Sequence, residues 1–279
     1  VIQKGEPGLN PKINQLISMT REATHEILLV SDSNVRVPAG YLSEIAAQFE
    51  DPTVGLVTNP VVGIGEQRLG SLLDNLHMTA GVTAGALAAK KASGHDLVVG
   101  KSMAIKKADL AAMGGWESCK DVLAEDHLMG KWTSTILGKR VGYCTRPVYN
   151  VTQNRKVVDY LRRYQRWSVM QHAAVGHFVY TSQILLQPIF FALLAFLSLP
   201  SKETGALLAG TTLFKILVDG ATMNLFRPEP LTLAQWFAVP LKDLSITYAW
   251  AYGLVNDTVN WRGNQLKVLP GTRLAERRR

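Results

Sequence analysis

Two apolar stretches, Phe178 to Leu199 and Ala206 to Phe226, stand almost back to back, broken around Pro200-Ser201-Lys202-Glu203. At a rise of about 1.5 Å per residue, each can cross a hydrocarbon core about 30 Å thick. A third stretch, Leu231 to Val255, is interrupted by Pro240-Leu241-Lys242-Asp243. Charges are costly inside a bilayer, so this segment reads as broken, re-entrant or partly inserted, with Lys242 and Asp243 in an interfacial loop. Arginine, lysine, carboxylates and glycine crowd the part before His177, a split hidden in averages of 19% charged and 47% hydrophobic residues. The expectation is a water-facing part followed by transmembrane helices, a multi-pass arrangement.

The net charge of +8 over 279 residues would suit a polyphosphate partner. The sequence carries no zinc-finger or RNP module, however. Its basic residues gather near the apolar segments and in Glu276-Arg277-Arg278-Arg279, which favours an anionic membrane surface over nucleic acid. Cys119 and Cys144 have neither metal-ligand spacing nor a disulfide framework around them, as on a reducing, cytosolic face.

Before His177, strand and helix signals alternate. Asn10-Pro11-Lys12-Ile13-Asn14 reads as a loop entering a helix, and Ile27-Leu28-Leu29-Val30 as a buried strand that stops at Ser31-Asp32-Ser33-Asn34. Tyr41, Leu42, Ile45, Ala46 and Phe49 recur at helical spacing, and Val54 to Thr58 reads as the next strand. That alternation implies an α/β layer fold. Arg68 to Lys91 follows a long helical pattern rich in small residues, and Val98 to Ile105 reads as a strand with Gly100 where a backbone can approach a ligand. Gly100-Lys101-Ser102 has the letters of a P-loop, but His95 stands where that motif requires glycine, which disfavours ATP. The expected division is 1–156 for an α/β domain, 157–177 for an interface helix and 178–279 for a membrane domain with a basic tail.

Several residues are chemically suggestive, each with a plainer reading beside it. Asp32 ends its strand where open α/β sheets place ligands, and with Asn34 it offers oxygens to Mg2+ or Mn2+; the same residues also make an ordinary turn or cap. Glu125-Asp126 opens a segment able to start a helix, as reacting carboxylates or as acids favoured by the helix dipole. Lys12 reads as a diphosphate contact or as a solvated first-turn lysine, and His77 and His95 as structural or solvated rather than as bases. Arg163, Arg166 and Trp167, spaced i, i+3, i+4, share one helix face. Two guanidinium forks and an indole there suit phosphate oxygens, or else anchor a basic helix at lipid headgroups.

The order Asp32, Asp126, Arg163-Tyr164-Gln165-Arg166-Trp167 resembles the ceramide glucosyltransferase family of inverting GT-A glycosyltransferases, including bacterial members that act on hopanoid lipids. Asp32 matches the family's second aspartate, Asp126 its third, and the Arg163 segment its x-x-Arg-Trp motif. Gly8 to Asn14, Val99 to Met103, Gly114-Gly115-Trp116 and Trp261-Arg262-Gly263 extend the similarity over most of the chain. The family's first aspartate has no counterpart, and the chain opens on Val1, so the resemblance implies a GT-A domain incomplete at its N-terminus. It also implies a hexose moved from a UDP-sugar donor to a lipid acceptor, ceramide first, at a bacterial inner membrane with the catalytic domain cytosolic. Asp126 would be the catalytic base; Asp32, Lys12, Arg163, Arg166 and Trp167 would bind donor and diphosphate; Asp32 and Asn34 would hold Mg2+ or Mn2+. Alternatives are a hopanoid transferase using UDP-N-acetylglucosamine, a processive polysaccharide synthase, and a catalytically silent membrane protein.

Overall fold

The computed structural model describes residues 1–94, 96–261 and 263–276. His95, Arg262 and Arg277 to Arg279, singled out above, lie outside the described residues. The chain folds into two compact units, each discontinuous in sequence: Val1–Val61, Ala86–Asn150 and Val259–Arg279 form the first, Val62–Gly85 and Val151–Thr258 the second.

In the first unit a mixed four-stranded sheet runs in the order Ile27–Ser31, Ser102–Lys106, Val54–Thr58, Arg140–Tyr143. The first two junctions are antiparallel, with Leu29 opposite Ala104 and Leu56 opposite Ile105; the last is parallel, with Val57 opposite Gly142. Val54–Thr58 is buried at every position, which explains its unbroken apolar run, whereas Ile27–Ser31 lies at the sheet edge and alternates. Helix Pro11–Glu22 starts where Asn10 Oδ1 accepts the amides of Lys12 and Ile13, with proline at its first position. Its Ile13 and Ile17 pack with Leu28, Leu56, Met103 and Met129 in the core. Buried Trp116 joins that core with its indole nitrogen donating to Thr20 Oγ1 at 2.9 Å.

The C-terminal strands Asn264–Leu269 and Arg273–Glu276 pair antiparallel and brace residues 121–124. Leu274 N donates to the Asp121 carbonyl at 2.7 Å, and Leu123 N to that of Thr272 at 2.9 Å. Thr272 holds a φ of 58°, costly for a β-branched residue, while its hydroxyl accepts the Ala124 amide at 3.3 Å. The backbone entering Glu125 is therefore fixed from behind.

The expected helix over 68–91 is continuous but not uniform: Leu69–Leu76 is α-helical, His77–Thr83 is a π-helix, and Ala84–Ser93 resumes α geometry. Gly70 permits Leu69–Leu76 to touch the backbone of residues 155 and 156, where a Cβ would come within 2.4 Å of Lys156 C. Beyond it the second unit is helical, with Val157–Val175, His177–Ser182, Pro188–Ser198, Lys202–Phe226 and Val239–Val255 as its longer members.

The apolar stretches differ in part from expectation. Among the described residues one helix, Lys202–Phe226, is long and apolar enough to cross a membrane. The first stretch is bent by 72° between His177–Leu186 and Pro188–Ser198, because Pro188 lacks an amide and restricts Gln187 before it. Counted as one bent span it raises the number to two, so the multi-pass expectation narrows to one or two candidate spans. Lys242 and Asp243 do not form an interfacial loop: both are buried in helix Val239–Val255. Lys242 Nζ lies 2.6 Å from Asp219 and 2.5 Å from Asp243, and Lys215 lies 2.7 Å from Asp219. Partners from another helix offset the desolvation that made a loop look cheaper.

Candidate functional site

Asp32 directly follows Ile27–Ser31, and its carbonyl accepts the Val35 amide to close a turn. Its Oδ2 accepts from Lys101 Nζ at 2.8 Å, and Asn34 Oδ1 accepts from the same ammonium at 3.3 Å. Asn34 Nδ2 donates to Asn150 Oδ1 at 2.9 Å, which turns the amide oxygen toward Lys101. A hard divalent cation asks for about six oxygen ligands. Asp32 and Asn34 supply oxygens of the right type, but their common focus holds an ammonium, and no group of three or more His, Cys, Asp or Glu side chains among the described residues is arranged for a metal. In this arrangement the fork does not fit Mg2+ or Mn2+.

Glu125 and Asp126 open helix Glu125–Thr135. Asp126 Oδ2 accepts the Gly100 amide at 2.7 Å and Oδ1 its neighbour's, His127, at 2.8 Å. A carboxylate has about four acceptor positions, so one further on each oxygen can receive a proton. Lys12 Nζ donates to the Gly100 carbonyl at 3.1 Å and pairs with Glu125 at 2.8 Å. Burial pushes the Glu125 carboxyl up, with Lys12 opposing and Asp126 adding to the rise. For Lys12 burial acts downward, but Glu125 and Asp126 outweigh it and the ammonium is held above its ordinary value. Lys12, expected at the diphosphate, is thus the partner of a buried acid. Gly100 sits between these groups: a Cβ there would lie 2.6 Å from Lys12 Nζ and 3.2 Å from Asp126 Oδ2. Gly100→Ala is expected to shift both side chains and lower turnover by up to about 10²-fold, the scale of a misplacement of about 1 Å. Wild-type turnover in a well-folded Gly100→Ala protein would show that this close approach has no part in the chemistry.

Arg163, Arg166 and Trp167 lie on helix Val157–Val175 in the second unit. The Arg163 guanidinium stacks 4.7 Å from the Trp167 ring centre. Arg163 Nε is 3.6 Å and Arg155 Nε 3.4 Å from opposite oxygens of Asp74, which is wholly buried. Burial and the charges of Arg163 and Arg155 push Arg166 down. These arginines share one carboxylate, and Arg155 Nε and Arg163 Nε are buried without hydrogen-bond partners among the described residues. Arg155, Arg163 and Arg166 carry more positive charge than Asp74 cancels, a surplus that suits an anion such as a diphosphate. Sequence reasoning missed Asp74 and Arg155; the available signal was a lone acid inside the apolar pattern Leu72-Leu73-Asp74-Asn75-Leu76. His77 is edge-on to Tyr164 at 4.7 Å, and burial, then Lys242, Lys215 and Arg163, hold its imidazole well below the usual range.

Residues 1–274 match Glycosyl transferase family 21. The chain belongs to that family. Membership makes it a glycosyltransferase and accords with a GT-A-like α/β fold in the first unit. Ceramide glucosyltransferase 3 of Caenorhabditis elegans is 24% identical over 266 residues, covering 92% of this chain and 57% of that protein. Ceramide glucosyltransferase 1 of the same organism is 25% identical over 184 residues, covering 63% of this chain and 38% of its own length. The family 21 chain thus spans about half the length of these curated relatives or less. Among solved structures, mannosyltransferase PcManGT from Pyrobaculum calidifontis, in complex with GDP-Man and Mn2+, is similar at 20% identity and a TM-score of 0.31, over 85% of this chain and 65% of that one. S. aureus TarS 1-349, in complex with UDP-GlcNAc, is similar at 13% identity and a TM-score of 0.31, over 99% of this chain and 81% of that one.

Proposed function

We propose that this family 21 glycosyltransferase moves a hexose from a UDP-sugar to the hydroxyl of a membrane lipid, ceramide first, with inversion at the anomeric carbon. The observation that carries the reading is Asp126, fixed by the Gly100 and His127 amides. In the proposed step the lipid hydroxyl gives its proton to Asp126, its oxygen bonds to the anomeric carbon, and the bond from that carbon to the diphosphate oxygen breaks. The departing UDP needs positive charge, for which Arg163 and Arg166 are the assigned groups, with Trp167 packing Arg163. No step is assigned to a divalent cation, because Lys101 Nζ lies at the focus of Asp32 and Asn34. An apolar acceptor accords with the exposed Phe178, Leu185, Leu197 and Phe214 and with helix Lys202–Phe226, by which we assign the protein to a membrane with one or two spans.

The test is the lipid extract of cells expressing the protein. A new monohexosyl lipid is expected, absent when Asp126 is replaced. A long water-soluble polymer in its place would overturn the lipid-acceptor reading in favour of a polysaccharide synthase.

A further inference from the structure

Lys101 belongs to the Gly100-Lys101-Ser102 motif that the P-loop reading leaves unexplained, and its side chain is only 9% exposed. Its place is built rather than incidental. Ser102, next in the chain, has its hydroxyl donated to Asn59 Oδ1 and bonded to Tyr41 OH, each at 2.8 Å, and its carbonyl accepts from Thr58 Oγ1 at 2.8 Å. Gly100 on the other side is bonded through its amide to Asp126 and through its carbonyl to Lys12. With both neighbours held, the Lys101 stem has little choice of direction, and Asn150 fixes the amide oxygen that meets it. The Asp32 side chain keeps 37% of its surface exposed against 9% for Lys101, so the ammonium meets the carboxylate from its buried side.

We propose that Lys101 is the resident cation of the Asp32–Asn34 fork: its ammonium takes the place of a divalent metal there and supplies positive charge to the donor diphosphate. An ammonium is a compact point charge, well suited to phosphate oxygens. A second, doubly positive ion beside it would meet repulsion at contact distance. The diphosphate half of this proposal rests on the transferase reading above; the metal half does not.

The test titrates Mn2+ alone into the purified full chain, followed by the paramagnetic signal of the free ion. Wild type and Asp32→Asn are expected to bind Mn2+ equally, because the fork takes none in either. Lys101→Met is expected to gain Mn2+ affinity at least tenfold, and Lys101→Met/Asp32→Asn to lose that gain. Weaker Mn2+ binding by Asp32→Asn than by wild type, or no gain in Lys101→Met, would overturn the proposal. The first comparison stands even if Lys101→Met fails to fold. In a second arm UDP is titrated in the presence of a chelator. Wild type should retain binding, Lys101→Met should lose it at least tenfold, and added Mn2+ should restore it in the variant while leaving wild type unchanged. A wild type that binds UDP only with Mn2+ would overturn the ammonium's role, whereas a wild type that binds no UDP under either condition would sink the transferase reading and leave the Mn2+ comparison to decide the fork.

Discussion

Asp126→Asn is expected to lower turnover by about 10²–10⁴-fold, the usual worth of a general base, with UDP-sugar affinity unchanged. The asymmetry follows from the role, since a base acts on the acceptor hydroxyl and touches the donor only through the bond being made. Asparagine keeps the shape but not the acceptors. Its single oxygen can take the Gly100 amide, as Asp126 Oδ2 does at 2.7 Å, while its amide nitrogen then faces the His127 amide and offers it nothing. Losing that bond costs about 1–3 kcal/mol if the amide is left unpaired, so thermal unfolding of the variant belongs beside the kinetics. A modest drop in stability with turnover abolished and UDP-sugar affinity intact is the expected set. Turnover close to wild type would take Asp126 out of the base role, and an equal loss of donor affinity would make it a binding residue.

The candidate residues legible in the sequence are those marked by a local pattern. Asp32 follows an apolar strand, and Arg163, Arg166 and Trp167 follow helical spacing; the strand Ile27–Ser31 and helix Val157–Val175 present them as expected. Residues that act through distant partners were not legible. Glu125 looked like an acid placed for the helix dipole, yet its partner Lys12 comes from 113 positions earlier, against a neighbour interval of 3 or 4 that helical spacing can detect. Lys101 stands in the sequence as a letter of a disfavoured P-loop and of the Val99 to Met103 similarity, without a role of its own, because nothing near it in sequence reveals Asp32 as its partner. Lys242 and Asp243 looked too charged for a buried helix until Asp219 and Lys215 supplied counter-charges from Lys202–Phe226. The π-helix at His77–Thr83 escaped for another reason: one widened turn barely disturbs an apolar pattern, and the small residues that tolerate it, among them Gly81 against the His77 ring, look like any flexible helix.

Lys12→Met should destabilise the fold in a way that depends on pH, and the sign identifies the group responsible. Glu125 is buried and its carboxyl is already held above the usual range, so the folded state grips a proton there more tightly than the unfolded chain does. Stability drawn from this group therefore rises as pH falls through the carboxylate range and is lost as pH climbs above it. Lys12 limits the loss by supplying a cation 2.8 Å away. Its own upward shift works in the same sense in a different window: that contribution is complete at neutral pH and fades only in strongly alkaline solution. Without the ammonium a carboxylate is left buried and uncompensated near neutrality, a situation that typically costs about 3–5 kcal/mol. As pH falls through the ordinary carboxylate range the same carboxyl takes up its proton in both states, so most of that cost disappears. Urea unfolding of wild type and Lys12→Met at about pH 4 and about pH 7 is the measurement, with a much larger difference expected at the higher pH. Adding Glu125→Gln to Lys12→Met should restore stability at neutral pH and remove the pH dependence of the difference. A loss of equal size at both pH values would assign the effect to the packing of the Lys12 stem instead of to its charge on Glu125.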